Sequence, residues 1–325
     1  MPLDSFGRDI HYLRISLTDK CNMRCVYCMS EDMVFQPNDE LLTTAEIRRL
    51  VRLFARLGVD KIRLTGGEPT VHPELLTIVR DIRAAGITRI SLTTNGLRLT
   101  ELAAPLKAAG LERVNVSIDT LDPERFHHVT RWGHLDKVLD GVYAAEAAGL
   151  TPIKINAVIA RGFNEQDVPD LARLTLAYPW QVRFIEMMPF GDVAEFAQNA
   201  TIAQAEIMER IETEVGPLHP IAEGRLDGEA RLYQLEGARA AVGFISTLTN
   251  PFCASCSRVR LTADGHLRLC LLRDDEGDLL TPLRRGATDA ELEELIRSLI
   301  WRKPWGHGLP EGLIPLERVM SQIGG

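Results

Sequence analysis

The chain carries six cysteines, and all six fall into two triplets. Cys21, Cys25 and Cys28 form C-x3-C-x2-C, and Cys253, Cys256 and Cys270 form C-x2-C-x13-C. Three thiolates at short spacing supply three ligands and leave a fourth position open. Soft thiolates suit iron–sulfur clusters or zinc. Two such sites in one chain point to redox or Lewis-acid chemistry at two centres, each able to take a non-protein ligand. A structural zinc site wants four protein ligands, and the first loop has no fourth cysteine and no nearby histidine, since His11 precedes the adjoining strand. A redox dithiol needs only two thiols. A cluster therefore suits the first triplet. For the second, zinc with His266 as fourth ligand stays open beside a cluster.

Such centres need elements to position them. Apolar runs predict strands at 12–17, 61–65, 89–94, 113–118, 153–158 and 182–187, each followed by an amphipathic pattern. Those patterns predict helices near 44–57, 74–85, 101–109, 135–148, 165–176 and 202–215. Thr43 or Thr44 suits the first helix's N-cap, and Gly58 suits its C-terminal end. The alternation predicts an α/β fold of βα units on a parallel sheet, open or closed as a barrel. After about residue 225 short runs, with a turn at Asp264-Gly265, read as antiparallel strands. A helix at 289–300 and a tail ending Gly324-Gly325 follow. A boundary near 225 divides the chain into 1–225 and 226–325.

Strands buried on both faces read as nearly continuous Val, Ile and Leu. Here they alternate instead. Tyr12, Arg14, Ser16, Lys61, Arg63, Thr93, Asn115, Ser117, Lys154 and Arg183 take one face, and Leu13, Ile15, Ile62, Leu64, Leu92, Val116 and Ile155 take the other. The apolar face should receive the helices. In a barrel the polar face becomes the lumen. Dry burial of Arg14, Lys61, Arg63, Lys154 and Arg183 is too costly. The lumen should hold water, a polyanionic ligand, or acidic partners such as Asp119 and Glu186.

At 325 residues and 45% apolar composition the chain can bury a large core. No apolar run approaches the ~18 residues of a membrane span. The start lacks a basic and then apolar leader pattern, so no signal peptide is expected. A reducing, cytoplasmic setting is the corresponding expectation, where clustered cysteines favour metal over disulfide. A formal charge of −8 gives no general attraction to nucleic acid or anionic membrane.

The first triplet follows strand one directly, at the strand end where α/β folds place chemistry. Gly66-Gly67-Glu68-Pro69, Thr93-Thr94-Asn95-Gly96 and Ser117-Ile118-Asp119 occupy the same end of strands two to four. CNMRCVYC has the C-x3-C-x-aromatic-C form, and with GGEP it resembles the radical S-adenosylmethionine superfamily. The second triplet, KIRLTGGEPTV, LTTNG, VNVSID, VRFIEMMP, FCASCSRVRLTADGHLRLCL and the terminal Gly-Gly are similar to the GTP 3′,8-cyclase family of molybdenum-cofactor biosynthesis. The likeness runs nearly end to end and is weakest across about 195–230 and 300–318.

That resemblance implies a partial (β/α)6 TIM-like barrel with a C-terminal α+β extension covering the open side. It implies a [4Fe–4S] cluster on each triplet. At the first cluster S-adenosylmethionine would bind and be cleaved to a 5′-deoxyadenosyl radical. Tyr27, Gly67, Ser117 and Met188 match the family's S-adenosylmethionine contacts. GTP would lie between the clusters, its purine at the second. Arg14, Arg63, Thr93, Lys154, Arg258, Val259 and Arg260 match substrate contacts, and Lys61 and Arg183 match further basic residues of the family. The radical would take hydrogen from ribose C3′, and the sugar radical would close onto guanine C8. Gly324 and Gly325 match a terminus that enters the active site. The implied partners are an electron donor of reductase or flavodoxin type and the next enzyme of the pathway, cyclic pyranopterin monophosphate synthase, with the chain a monomer or homodimer. Two other readings stay open: a peptide-modifying radical enzyme with an auxiliary cluster, and a zinc or cluster protein without catalysis. No GxxxxGK[ST] loop occurs, which excludes a P-loop GTPase.

Overall fold

The computed structural model describes residues 2–189, 191, 194–224 and 226–324. Six strands follow one another in parallel pairing: β1 (Tyr12–Ser16), β2 (Lys61–Thr65), β3 (Arg89–Thr94), β4 (Arg113–Ser117), β5 (Lys154–Ile159) and β6 (Gln181–Glu186). Parallel neighbours need a crossover, usually helical. The helices Thr44–Arg56, Leu75–Ala84, Leu99–Ala109, Leu135–Ala147 and Val168–Ala177 supply it. Thr43 caps the first through a reciprocal pair: its hydroxyl accepts from the Glu46 amide, and the Glu46 carboxylate accepts from the Thr43 amide. Gly58, at φ +98°, sits just past that helix. The helix Pro123–Thr130 was not anticipated, although Asp122 caps it and proline opens it.

The period-two alternation is borne out. Leu13, Ile15, Ile62, Leu64, Ile90, Leu92, Val114, Val116 and Ile155 are fully buried, in one core with helix residues such as Leu50, Phe54 and Ile78. Each such burial is worth about 1.5–3 kcal/mol, which is why the strands keep this face toward the helices.

The segment after 225 differs from expectation. With β7 (Leu218–Pro220), which precedes the expected boundary and pairs with β9, the strands here are β8 (Leu226–Asp227), β9 (Ala230–Leu235), β10 (Val242–Ile245), β11 (Arg258–Leu261), β12 (His266–Arg268) and β13 (Glu276–Asp278). β9–β10, β11–β12 and β12–β13 are antiparallel as expected, with Gly265 at φ +76° in the β11–β12 turn. However, β10 lies parallel beside β6, and β11 lies parallel beside β1. Among the described residues all of these strands join one sheet, in the order β13-β12-β11-β1-β2-β3-β4-β5-β6-β10-β9-β7, with β8 on β9. The physical reason is that a six-stranded open barrel has two edges with unpaired amides and carbonyls. The C-terminal strands cover both.

Candidate active site

The loop after β1 carries the first triplet, and the turn after β2 holds it in place. The Gly67 amide donates to Thr18 O (2.7 Å), and the Glu68 amide donates to Lys20 O (2.8 Å). A Cβ on Gly67 would strike the Lys20 and Asp19 carbonyls, so only glycine permits this approach. The buried Glu68 carboxylate accepts from the Thr70 amide and hydroxyl, the Thr94 hydroxyl (2.7 Å) and the Asn95 amide (2.7 Å). Asn95 in turn donates to Asn22 Oδ1 at 2.7 Å, inside the cysteine loop. The ends of β2 and β3 thus hold one rim. On the other side the Tyr27 hydroxyl donates to Asp119 at 2.7 Å, and the Val158 amide donates to the same carboxylate. Burial raises Asp119 to about 6. Burial also raises Cys21 to about 11 and Cys28 to about 12, and Cys25 well above its usual value.

The second triplet lies toward the other end of the strands: Cys253 and Cys256 precede β11, whose first residue Arg258 pairs with Tyr12 at the start of β1, whereas the first triplet follows the end of β1. Arg8 donates to the carbonyls of Cys253 (2.8 Å), Trp305 and Pro304, fixing the 253–256 turn against the chain near 305. Burial opposes ionisation of Cys256, but Arg258 and Lys303 outweigh it and bring the thiol down to about 6. The zinc reading with His266 is not supported. His266 pairs with Asp264 (3.3 Å) and is absent from the wall shared by the cysteines.

Between the triplets lies a cavity of about 280 Å³ whose wall includes all six cysteines, each a free thiol. Tyr27, Gly67, Ser117 and Met188 are in that wall. So are Arg14, Arg63, Thr93, Arg258, Val259 and Arg260. Parallel pairing of β11 with β1 sets Arg260 opposite Arg14 and Arg258 opposite Tyr12, while β2 sets Arg63 opposite Arg14. The Thr93 hydroxyl oxygen is buried without a hydrogen-bond partner. Lys61, Lys154 and Arg183 are not brought to this wall. Lys61 stands 4.3 Å above the Tyr12 ring and lines a second cavity, of about 610 Å³, toward the amino ends of the strands. Lys154 and Arg183 are buried as well. The Gly324 carbonyl accepts from Arg260, so the tail enters the lumen, with Gly324 packed on Thr65 and Ser16. Gly325 lies outside the described residues.

The expected acidic partners Asp119 and Glu186 are spent elsewhere. Glu186 accepts from Leu248, Thr249 and Gln204. The carboxylate that meets the lumen cations is Glu229, which sequence reasoning missed. It contacts Arg14, lies 2.5 Å from Arg258, and is 3.9 Å from both Arg63 and Arg183. Burial would raise it, but Arg63, Arg258 and Arg14 hold it well below the usual carboxylate range. The only sequence signal was an Asp-Gly turn between two short strands.

Comparisons with known proteins agree with this geometry. The profile of the radical SAM superfamily matches residues 15–175, and that described as Molybdenum Cofactor Synthesis C matches 180–309. The chain is 46% identical to the GTP 3′,8-cyclase of Moorella thermoacetica over 324 residues, covering 99% of each. It is 48% identical to that of Pelotomaculum thermopropionicum, again covering 99% of each. Streptococcus suis SuiB bound to S-adenosylmethionine shares the fold, with a TM-score of 0.60 at 14% identity, over 93% of this chain and 68% of that one.

Proposed function

The chain belongs to the GTP 3′,8-cyclase family of radical S-adenosylmethionine proteins, and on that premise we propose that its cavity cyclises GTP to (8S)-3′,8-cyclo-7,8-dihydroguanosine 5′-triphosphate, the first step of molybdenum-cofactor biosynthesis. One observation carries the reading: two cysteine triplets from opposite ends of the chain line one cavity, with arginines between them. Six free thiols framing a shared space fit two [4Fe–4S] clusters, one on Cys21, Cys25 and Cys28 and one on Cys253, Cys256 and Cys270. When bound, the clusters and S-adenosylmethionine supply the one-electron chemistry that takes hydrogen from the ribose and closes it onto the base.

The chain's own residues bind and orient. Gly67 exposes backbone that suits the methionyl group of S-adenosylmethionine, while Ser117, Met188 and the Tyr27 backbone frame its nucleoside. Arg14, Arg63 and Arg258 form a fork-shaped cationic set suited to bidentate phosphate contacts. Arg260, Val259 and Thr93 complete the substrate wall, with Lys61, Lys154 and Arg183 adding positive field from outside it. Holding the ribose and the base in fixed relation is the protein's largest contribution, because a misplacement of about 1 Å costs roughly 10²-fold in rate. Gly324 and Gly325 close the lumen. Residues 1–225 form the barrel unit and 226–325 the unit that carries the second triplet. A cytoplasmic reductase or flavodoxin-type protein delivers the electron, and cyclic pyranopterin monophosphate synthase takes the product. The protein acts as a monomer or homodimer.

The test is anaerobic. Protein reconstituted with iron and sulfide, given reductant and S-adenosylmethionine, should form 5′-deoxyadenosine and a cyclised nucleotide only when GTP is present. Deoxyadenosine with unchanged GTP would overturn the substrate; neither product at full iron loading would overturn the catalytic reading.

A further inference from the structure

The two cavities share a wall made of Glu229, Phe252, Cys256 and Arg258. The inner one holds the cysteine triplets; the outer one is lined by His11, Tyr12, Lys61 and Arg89. Glu229 is at the tip of a two-residue turn. Asp227 pairs with Ala230, leaving Gly228 and Glu229 as the link between β8 and β9. Gly228 takes φ +67°, and nothing stands within 4 Å of where its Cβ would be, so the turn has free space on that side. β8 has two residues and pairs only with β9 among the described strands, so few contacts anchor the hairpin arm itself. Its tip carries the ion pairs of Glu229.

We propose that Glu229 is a displaceable counter-ion: its carboxylate neutralises the Arg14, Arg63, Arg183 and Arg258 set while the site is free of nucleotide, and yields that set to the polyphosphate of the substrate, opening the wall between the two cavities. Guanidinium groups crowded together where water screens them poorly repel one another. One carboxylate from the extension relieves this. A bound polyphosphate carries more charge and would meet Glu229 as a like charge at the same guanidinium groups, so the two anions exclude each other. Glu229 is thus a gate that sets substrate affinity and gives preference to ligands charged enough to displace it. This extends the substrate reading above and rests on it.

The experiment uses the holoprotein with both clusters, kept anaerobic and without S-adenosylmethionine, so that GTP binds without turnover. Affinities for GTP, guanosine and inorganic tripolyphosphate are measured for the natural protein and for E229Q. E229Q should bind GTP and tripolyphosphate at least ~10-fold more tightly, about 1.4 kcal/mol, and guanosine unchanged. Its melting temperature should fall without ligand and recover with tripolyphosphate. Equal or weaker polyanion binding by E229Q overturns the gate and makes Glu229 a fixed scaffold for the arginines. Guanosine binding without tripolyphosphate binding in either protein overturns the phosphate assignment of the arginines as well, while GTP binding by neither overturns the substrate reading. Should E229Q fold poorly, hydrogen exchange of the natural protein decides. Amides 226–231 should lose protection when GTP is added; a gain in protection there refutes displacement.

Discussion

Arg260 donates a hydrogen bond to the carbonyl of Gly324, joining the strand that follows the second cysteine pair to the end of the chain. This arginine is buried, and burial, Arg14 and Arg258 together pull it well below its usual value. A carbonyl oxygen is the weakest partner such a group can take without being left unsatisfied. At Gly324 the tail is held by this exchangeable bond and by the absence of a side chain, and just before it Ile323 is buried against Leu272.

Gly324 takes φ +70°, and a Cβ there would collide with the Thr65 side chain and press on Ser16. Gly324→Ala should lower formation of the cyclised product by about 10²-fold, the scale of a small misplacement at a reacting centre. Iron content should stay unchanged, because neither triplet touches the position. Residues appended after Gly325 should act in the same direction. Product and iron measured on the same samples check both, and normal turnover in either form would remove the tail from the active site.

Gly67 is confined by backbone atoms that cannot give way. Gly67→Ala should cost about 1–3 kcal/mol as overpacking, and should weaken S-adenosylmethionine binding more than GTP binding, since it displaces the first cysteine loop. Denaturant midpoints and the two affinities provide the check. A variant with unaltered S-adenosylmethionine affinity would show that this turn only shapes the loop.

Tyr27 satisfies a carboxylate that burial has already raised to about 6. Tyr27→Phe leaves one Asp119 oxygen without that donor, at about 1–3 kcal/mol. Asp119→Asn should cost less, because its amide can still accept from the Val158 amide. Stability curves for both variants settle the order, and a larger loss in the asparagine variant would contradict it.

How much of this was legible in the sequence follows from what each feature depends on. The polar stripe was readable because side chains of a strand alternate with period two whatever the strand pairs with. Arg14 and Arg63 could be placed in the lumen on that basis alone. Arg258 and Arg260 could be placed on one strand face, but their alignment with Tyr12 and Arg14 depends on β11 lying parallel beside β1, a long-range pairing that local pattern does not encode. Glu229 was invisible for the same reason: two residues of β8 show no periodicity, and the hairpin reaches the arginines only because β10 occupies the β6 edge. His266 misled through spacing, since it stands four positions before Cys270 yet its ring turns to Asp264. Lys61 kept its face but sits at the opposite end of the strand from the first triplet, in the outer cavity that Cys256 also lines.

The tail has a second anchor whose strength should depend on pH. Arg318 bridges Asp264 (2.9 Å) and Glu276 (2.6 Å), just before the final helical turn, and His266 pairs with the same Asp264. Burial would raise Asp264, but His266, Arg318 and Thr262 hold it well below the usual carboxylate range. Its contribution is therefore full above the unfolded carboxylate value near ~4 and is lost as pH falls through the depressed folded value. The bond to Asp264 raises His266 above its ordinary value. That contribution is full below ~6.5 and is lost as pH rises through the raised folded value. Arg318 stays charged and opposes the positive charge of His266 across their shared Asp264, so deprotonation of His266 does not loosen the tail, and the anchor should hold from about pH 5 to 8 and weaken only as the carboxylates are protonated in acid. Carboxypeptidase release of the last residues should therefore stay slow from pH 5 to 8 in the natural protein once corrected for the enzyme's own pH profile. In Arg318→Ala release should be fast throughout. Release that accelerates as pH rises across that window, or an alanine variant as protected as the natural protein, would place the tail's hold in the Arg260–Gly324 bond alone.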